Sequence, residues 1–151
     1  MLKYKLSQID TISKKIISNL SNTDCIFLFG ELGSGKTTFA RSFINQLQEK
    51  NKVKKTEVLS PTFNLLYEYE IKSLKIMHYD LYRLVSPNEI DQLGIFENGE
   101  NVITVIEWPE KLKKNVKNRL EITIFYENKS ENRKINFQGF GKWKNFKFDE
   151  I

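Results

Sequence analysis

The chain has 151 residues, 40% of them hydrophobic, which suits one domain with a buried core. No apolar run reaches membrane-spanning length and Met1-Leu2-Lys3-Tyr4-Lys5 opens no secretory leader, so a cytoplasmic protein with no membrane partner is expected. One cysteine, Cys25, excludes a disulfide framework, and the net charge of +5 is lopsided: residues 1–110 carry 13 Lys/Arg against 14 Asp/Glu, residues 111–151 carry 11 against 5. The body is near neutral and the C-terminal part basic. Such a bias attracts RNA or another polyanion, or is a compositional habit of a Lys- and Asn-rich chain.

Ser7 to Leu20 has the spacing of an amphipathic helix, with Ile9, Ile12, Ile16 and Leu20 on one face, Ser7 as its N-cap and Asp10 as a weak capping-box partner. Cys25-Ile26-Phe27-Leu28-Phe29 is a buried strand, and Thr38 to Glu49 a helix. Lys50 to Lys55 is a loop, and Glu57-Val58-Leu59 a short strand. Leu65–Ile71 and Leu74–Tyr79 flank the turn Lys72-Ser73 as an antiparallel hairpin. Ser86 and Pro87 open a short helix that Gly94 ends. Val102 to Ile106 is a continuous apolar run, hence a buried parallel strand, and Pro109 starts another short helix. Leu120–Tyr126 and Lys134–Phe137 flank Glu127–Arg133 as a second hairpin. The expected architecture is α/β: a P-loop NTPase core, one domain over 1–151, whose mixed sheet has parallel core strands, extra antiparallel hairpins and flanking helices.

Between the first buried strand and the helix after it lies Gly30-Glu31-Leu32-Gly33-Ser34-Gly35-Lys36-Thr37, a complete G-x-x-x-x-G-K-[ST] phosphate loop in the strand–loop–helix context it requires. Glycines let successive N–H groups converge on one anion, and the helix adds its positive end. Lys36 reaches the β- and γ-phosphates and Thr37 offers a hydroxyl to Mg²⁺. The nucleotide-binding set is therefore Gly30 through Thr37, with Thr38 beside it in the helix.

A phosphate loop needs an acid that holds Mg²⁺ or orients water, at the C-terminal end of a buried strand. Glu107 follows Val102–Ile106, and Asp80 follows Leu74–Tyr79; which of them touches the metal stays open. Two GTPase-like spellings carry less. Asp91-Gln92-Leu93-Gly94 (D-x-x-G) follows a helical stretch, not a strand. Asn128-Lys129-Ser130-Glu131 approximates N-K-x-D but ends in Glu and precedes a strand, which weighs against guanine specificity.

Ser60-Pro61-Thr62-Phe63, His78-Tyr79-Asp80-Leu81-Tyr82-Arg83-Leu84 and Ile106-Glu107-Trp108-Pro109-Glu110, in that order after the phosphate loop, resemble the motif set of the TsaE (YjeE) family over about residues 7–138. That resemblance implies a cytoplasmic, Mg²⁺-dependent ATPase, binding ATP and ADP and weak alone. It implies a need for this ATPase in threonylcarbamoyl modification of the adenosine beside the anticodon of tRNA, with the transferase pair TsaD and TsaB. It also implies roles: Lys36, Asp80 and Glu107 catalytic, Thr37 and Glu107 at the metal, Asp80 orienting water, Thr62 sensing the γ-phosphate, Trp108 near the site or packed beside its acid. Thr11 would approach the base and Arg133 cover the nucleotide, the alternative for Arg133 being a solvated hairpin side chain. His78, without Cys or His partners, is a poor metal ligand and fits a supporting hydrogen bond better. Glu31 departs from the Asp frequent at its position. Any tRNA contact through the basic segment rests on charge alone. A small-molecule or nucleoside kinase is the competing enzyme reading, weakened by the lack of an Arg-rich lid segment. A nucleotide-gated binding module without turnover is the other.

Overall fold

The computed structural model describes residues 1–97, 99–114, 116–126 and 131–148. Seven strands form a single sheet in the order β1-β7-β6-β2-β5-β4-β3: β1 Leu2–Lys5, β2 Cys25–Phe29, β3 Leu66–Ile71, β4 Leu74–Asp80, β5 Val102–Glu107, β6 Arg119–Tyr126 and β7 Asn132–Phe140. The four central strands, β6, β2, β5 and β4, are mutually parallel. β3 pairs antiparallel with β4, β7 with β6, and β1 with β7. The expected mixed sheet with a parallel core, two hairpins and flanking helices is what the chain forms.

Alternation along the central strands gives each a side chain for both faces. Ile26 and Leu28 of β2 join the core beneath α1 (Ile9–Ile17) and α2 (Lys36–Lys50), where Ile12, Ile16, Phe39, Phe43 and Ile44 are fully buried. Cys25 and Phe27 point the other way, into a smaller core with Met77, Tyr79, Ile106 and Ile90 of α3 (Pro87–Gln92). Burial on both faces is why β2 and β5 read as unbroken apolar runs. It also pushes the Cys25 thiol up to about 11, as fits a packing residue.

Local differences have local causes. The first helix is shorter than its apolar spacing predicts: a 3-10 turn at Leu6–Gln8 precedes it, with Lys5 and Gln8 rather than Ser7 at its cap. Asp10 accepts from Ser42 Oγ at 2.7 Å, and Ser42 in turn meets Ser13 at 2.9 Å, so the acid ties α1 to α2 instead of capping. Glu57-Val58-Leu59 is not a strand. Val58 is buried in the main core while its carbonyl accepts from Arg41 Nε at 3.0 Å, a side-chain anchor in place of a ladder. The four-residue β1 is too short to stand out by periodicity, although Tyr4 is buried. Ser86 caps α3 with Glu89 as capping-box partner, and Gly94 follows its end with φ +56°, as expected. Glu127 and the Asn128-Lys129-Ser130 spelling lie outside the described residues.

Gly139 of β7 sets the course of the C-terminal segment. A Cβ there would sit 1.8 Å from the Trp143 carbonyl oxygen, because a 3-10 turn at Gly141–Asn145 folds Trp143 back into the core, 2% exposed. Gly139→Ala is expected to destabilise the fold by about 1–3 kcal/mol, the usual cost of overpacking. Urea denaturation checks this, and an unchanged midpoint would mean that Trp143 is not held as described.

Candidate nucleotide site

The parallel core places the C-terminal ends of β2, β5 and β4 side by side, with Leu28 opposite Glu107 and Glu107 opposite Asp80 in register. The phosphate loop leaves β2 at this end. Its turns use left-handed backbone at Gly33 (φ +78°) and Gly35 (φ +109°), which a side chain disfavours. Gly30 is also needed for space: a Cβ would lie 2.5 Å from the Ile124 carbonyl of β6. α2 begins at Lys36, two residues earlier than its apolar spacing predicts, with Gly35 at its N-cap and no side chain capping it. The first-turn N–H groups of Lys36, Thr37 and Thr38 thus form the kind of helix start that can accept an anion.

Lys36 is 4% exposed, and its Nζ donates to the carbonyls of Gly30 (2.7 Å) and Glu31 (2.9 Å) beneath the Trp108 ring, 4.0 Å from the ring centre. Burial pulls its ammonium below the usual lysine value, against the opposing pull of Glu107, Asp80 and Glu110. Thr37 Oγ1 donates to Glu107 Oε2 at 3.0 Å, joining the start of α2 to the end of β5. The other Glu107 oxygen lies 2.9 Å from His78 Nε2. Asp80 accepts from Thr62 Oγ1 at 2.7 Å and from the Tyr82 N–H at 2.9 Å, while Ser60 meets Thr62 at 2.9 Å. Trp108 adopts φ 60°, ψ 47°, a left-handed conformation costly for a bulky residue, right after the acid at the strand end.

A cleft of about 200 Å³ collects these groups. Leu32, Gly33, Gly35, Lys36, Thr37 and Thr38 come from the loop and the first turn of α2; Thr62, Asp80, Tyr82, Glu107 and Trp108 come from the strand ends and their loops. Gly30 and Glu31 lie behind, as acceptors for Lys36, and Ser34 is buried within the loop. Two candidates stand elsewhere. Thr11 is exposed on α1, and Arg133, on β7, lies 4.5 Å from the Tyr126 ring; neither lines the cleft. Tyr82 is an addition: it sits within a recognised motif, yet only the fold shows its ring 4.9 Å from that of Trp108. Asp91 and Gly94 line a different cavity, with no phosphate-loop residue, so their D-x-x-G spelling has no place at this site.

The donor set fits a hard divalent cation that draws most ligands from phosphate and water. One hydroxyl and one carboxylate already meet beside the anion loop, and among the described residues no group of three or more His, Cys, Asp or Glu could form an all-protein cage. No helix among them is long and apolar enough to cross a membrane.

Fold and site define a mixed α/β protein with a phosphate-loop motif at the C-terminal edge of its parallel core. Within that class, a profile described as "Threonylcarbamoyl adenosine biosynthesis protein TsaE" matches residues 4–135, and the chain belongs to the TsaE family. A Rickettsia felis protein named "tRNA threonylcarbamoyladenosine biosynthesis protein TsaE" is 42% identical over 102 residues, 68% of this chain. The match spans only 57% of that relative's length. An Aquifex aeolicus protein of the same name is 37% identical over 122 residues, 81% of this chain and 84% of that one. The crystal structure of Bacillus subtilis YdiB superposes with a TM-score of 0.62 at 26% identity, covering 93% of this chain and 86% of that one.

Because burial holds the Lys36 ammonium below its ordinary value, the unfolded chain binds the extra proton more readily. Stability therefore rises with pH through the window between the two values, and at neutral pH the charge is a net cost. Without nucleotide, Lys36→Met should unfold at a temperature no lower than wild type. With ATP and Mg²⁺ the wild type should shift upward and Lys36→Met should not. Scanning fluorimetry measures both; a fall of several degrees without nucleotide would show that the two carbonyl bonds outweigh the desolvation.

Proposed function

We propose that this chain is a Mg²⁺-dependent ATPase of the cytoplasm required for threonylcarbamoyl modification of the adenosine next to the tRNA anticodon, acting with the TsaD and TsaB transferase pair. The Thr37–Glu107 hydrogen bond beside the buried Lys36 carries the reading, since it joins a hydroxyl and a carboxylate where a phosphate-loop protein binds its metal. Family membership and the names of the relatives support the pathway.

In this reading the α2 first-turn N–H groups and Lys36 bind the phosphates, Lys36 exchanging its own loop carbonyls for β- and γ-phosphate oxygens. Thr37 and Glu107 would hold Mg²⁺, which would supply neutralising charge to the polyphosphate. Asp80, freed from Thr62, orients a water toward the γ-phosphate, and Thr62 senses that phosphate. The Trp108 and Tyr82 rings shield the Lys36 side of the cleft from water. Here Asp80 and Thr62 hold each other, so turnover alone is slow until a partner separates them. ATP turnover sustains or resets the transferase pair and the chain does not carry the threonylcarbamoyl group.

In the basic C-terminal part, Lys142 is paired with Asp24, Arg119 with Glu121, and Lys111 donates to the Leu84 carbonyl, so part of its charge serves the fold. Proximity to tRNA would run through the exposed Lys113, Lys114, Lys117, Lys144 and Lys147.

Reconstitution tests the proposal: tRNA, threonylcarbamoyl adenylate and the transferase pair, with and without this chain and ATP. Modification over repeated turnovers should require both, and Lys36→Ala should drop it at least 100-fold, to background. Full modification with Lys36→Ala contradicts the mechanism. In competition, ATP should displace a bound fluorescent nucleotide better than GTP; the reverse order would revive the guanine reading.

A further inference from the structure

His78 is a histidine with no exposed surface, lying on β4 two residues before Asp80. Its Nε2 lies 2.9 Å from Glu107 Oε1, while its buried Nδ1 has no hydrogen-bond partner among the described residues. A carboxylate only accepts, so the shared proton sits on Nε2 and His78 is the donor. Glu107 itself is 2% exposed, and its two oxygens are divided: Oε1 takes His78 and Oε2 takes Thr37.

We propose that His78 is a positioning residue, which fixes Glu107 by occupying Oε1 and so commits Oε2 to the cation site beside Thr37. The inference rests on the nucleotide and metal reading above and adds a residue to it. Two observations separate this role from core packing. The one hydrogen bond that His78 makes among the described residues goes to the acid of the cleft, not to the core in which it is buried. Second, the carboxylate has little else to hold it. Glu107 ends a strand, and the backbone turns left-handed at Trp108 right after it. With no donor on Oε1, a buried carboxylate turns toward whatever donor it can find, and Oε2 leaves Thr37. Partners of this outer kind set metal affinity by about 10–100-fold without touching the metal.

The test uses the whole chain alone, with a fluorescent methylanthraniloyl-ATP titrated in EDTA and across Mg²⁺ concentrations, plus unfolding temperature without nucleotide. His78→Leu removes the donor at similar volume; His78→Asn keeps an amide one carbon too short; His78→Gln restores a donor at the reach of Nε2. Leu and Asn should raise the Mg²⁺ concentration for half-maximal binding about tenfold or more, and leave affinity in EDTA within about twofold. Gln should stay within about threefold of wild type. Leu should unfold earlier than wild type, since it strands the buried Glu107 Oε1 without a donor, and Gln should recover part of that loss; if Leu does not fold, the Asn and Gln pair decides. A wild-type Mg²⁺ requirement in Leu or Asn, or equal losses with and without Mg²⁺, overturns the positioning role. A wild-type chain indifferent to Mg²⁺ overturns the metal reading itself, and does so before any His78 variant is compared.

Discussion

The 3.0 Å hydrogen bond from Thr37 to Glu107 joins two elements that the chain separates by 70 residues, and the site stands on it. Thr37 is placed by the phosphate loop, whose glycines turn the chain from β2 into α2. Glu107 is placed by β5, which lies parallel to β2 with Leu28 opposite the acid. The Trp108 N–H adds a bond of 3.3 Å to the Leu28 carbonyl, so the register is held up to the residue where the backbone turns. A one-residue slip between β2 and β5 would move Glu107 to the other face of the sheet and leave the loop without its acid. Double-sided burial in the apolar core penalises that slip, and the chemistry thus depends on packing far below it.

Around this bond the polar groups of the cleft engage one another. Lys36 donates to its own loop, Thr62 to Asp80, and His78 to Glu107. In the proposed mechanism a polyphosphate displaces the Lys36 bonds, and Asp80 is released from Thr62 before it addresses water. Lys36 buried below its ordinary pKa and Trp108 in left-handed backbone both cost stability at this cleft. Similar costs occur away from it: Lys52 and Lys72 are also left-handed, and the buried Tyr4 hydroxyl, Gln46 amide oxygen and Trp143 indole nitrogen have no hydrogen-bond partner among the described residues.

Much of this was legible in the residues, for physical reasons. The parallel core strands showed as unbroken apolar runs because both faces of β2 and β5 are covered, and the loop showed because only glycine suits its backbone. Asp80 and Glu107 were found because acids at strand ends of a parallel sheet converge. What stayed hidden depends on three-dimensional context. Val58 mimics a strand because it is buried like one, although Arg41 takes its carbonyl. Asp10 spells a helix cap but bonds Ser42 across a helix interface. Tyr82 and His78 stand in recognisable motifs, yet that one ring lies tilted against Trp108 and the other bonds Glu107 shows only in the folded chain. Thr11 and Arg133 could be carried over by resemblance, and the fold puts both outside the cleft.

The central claim is that Thr37 and Glu107 act as one cation site. A double-mutant cycle on Mg²⁺-dependent ATP affinity, with Thr37→Val, Glu107→Gln and the pair, addresses it most directly. If the two hold a single ion, either change removes most of what both remove, and the coupling should exceed about 1 kcal/mol. It should vanish when the cycle is repeated in EDTA. Additivity within about 0.5 kcal/mol in the presence of Mg²⁺ would contradict the claim.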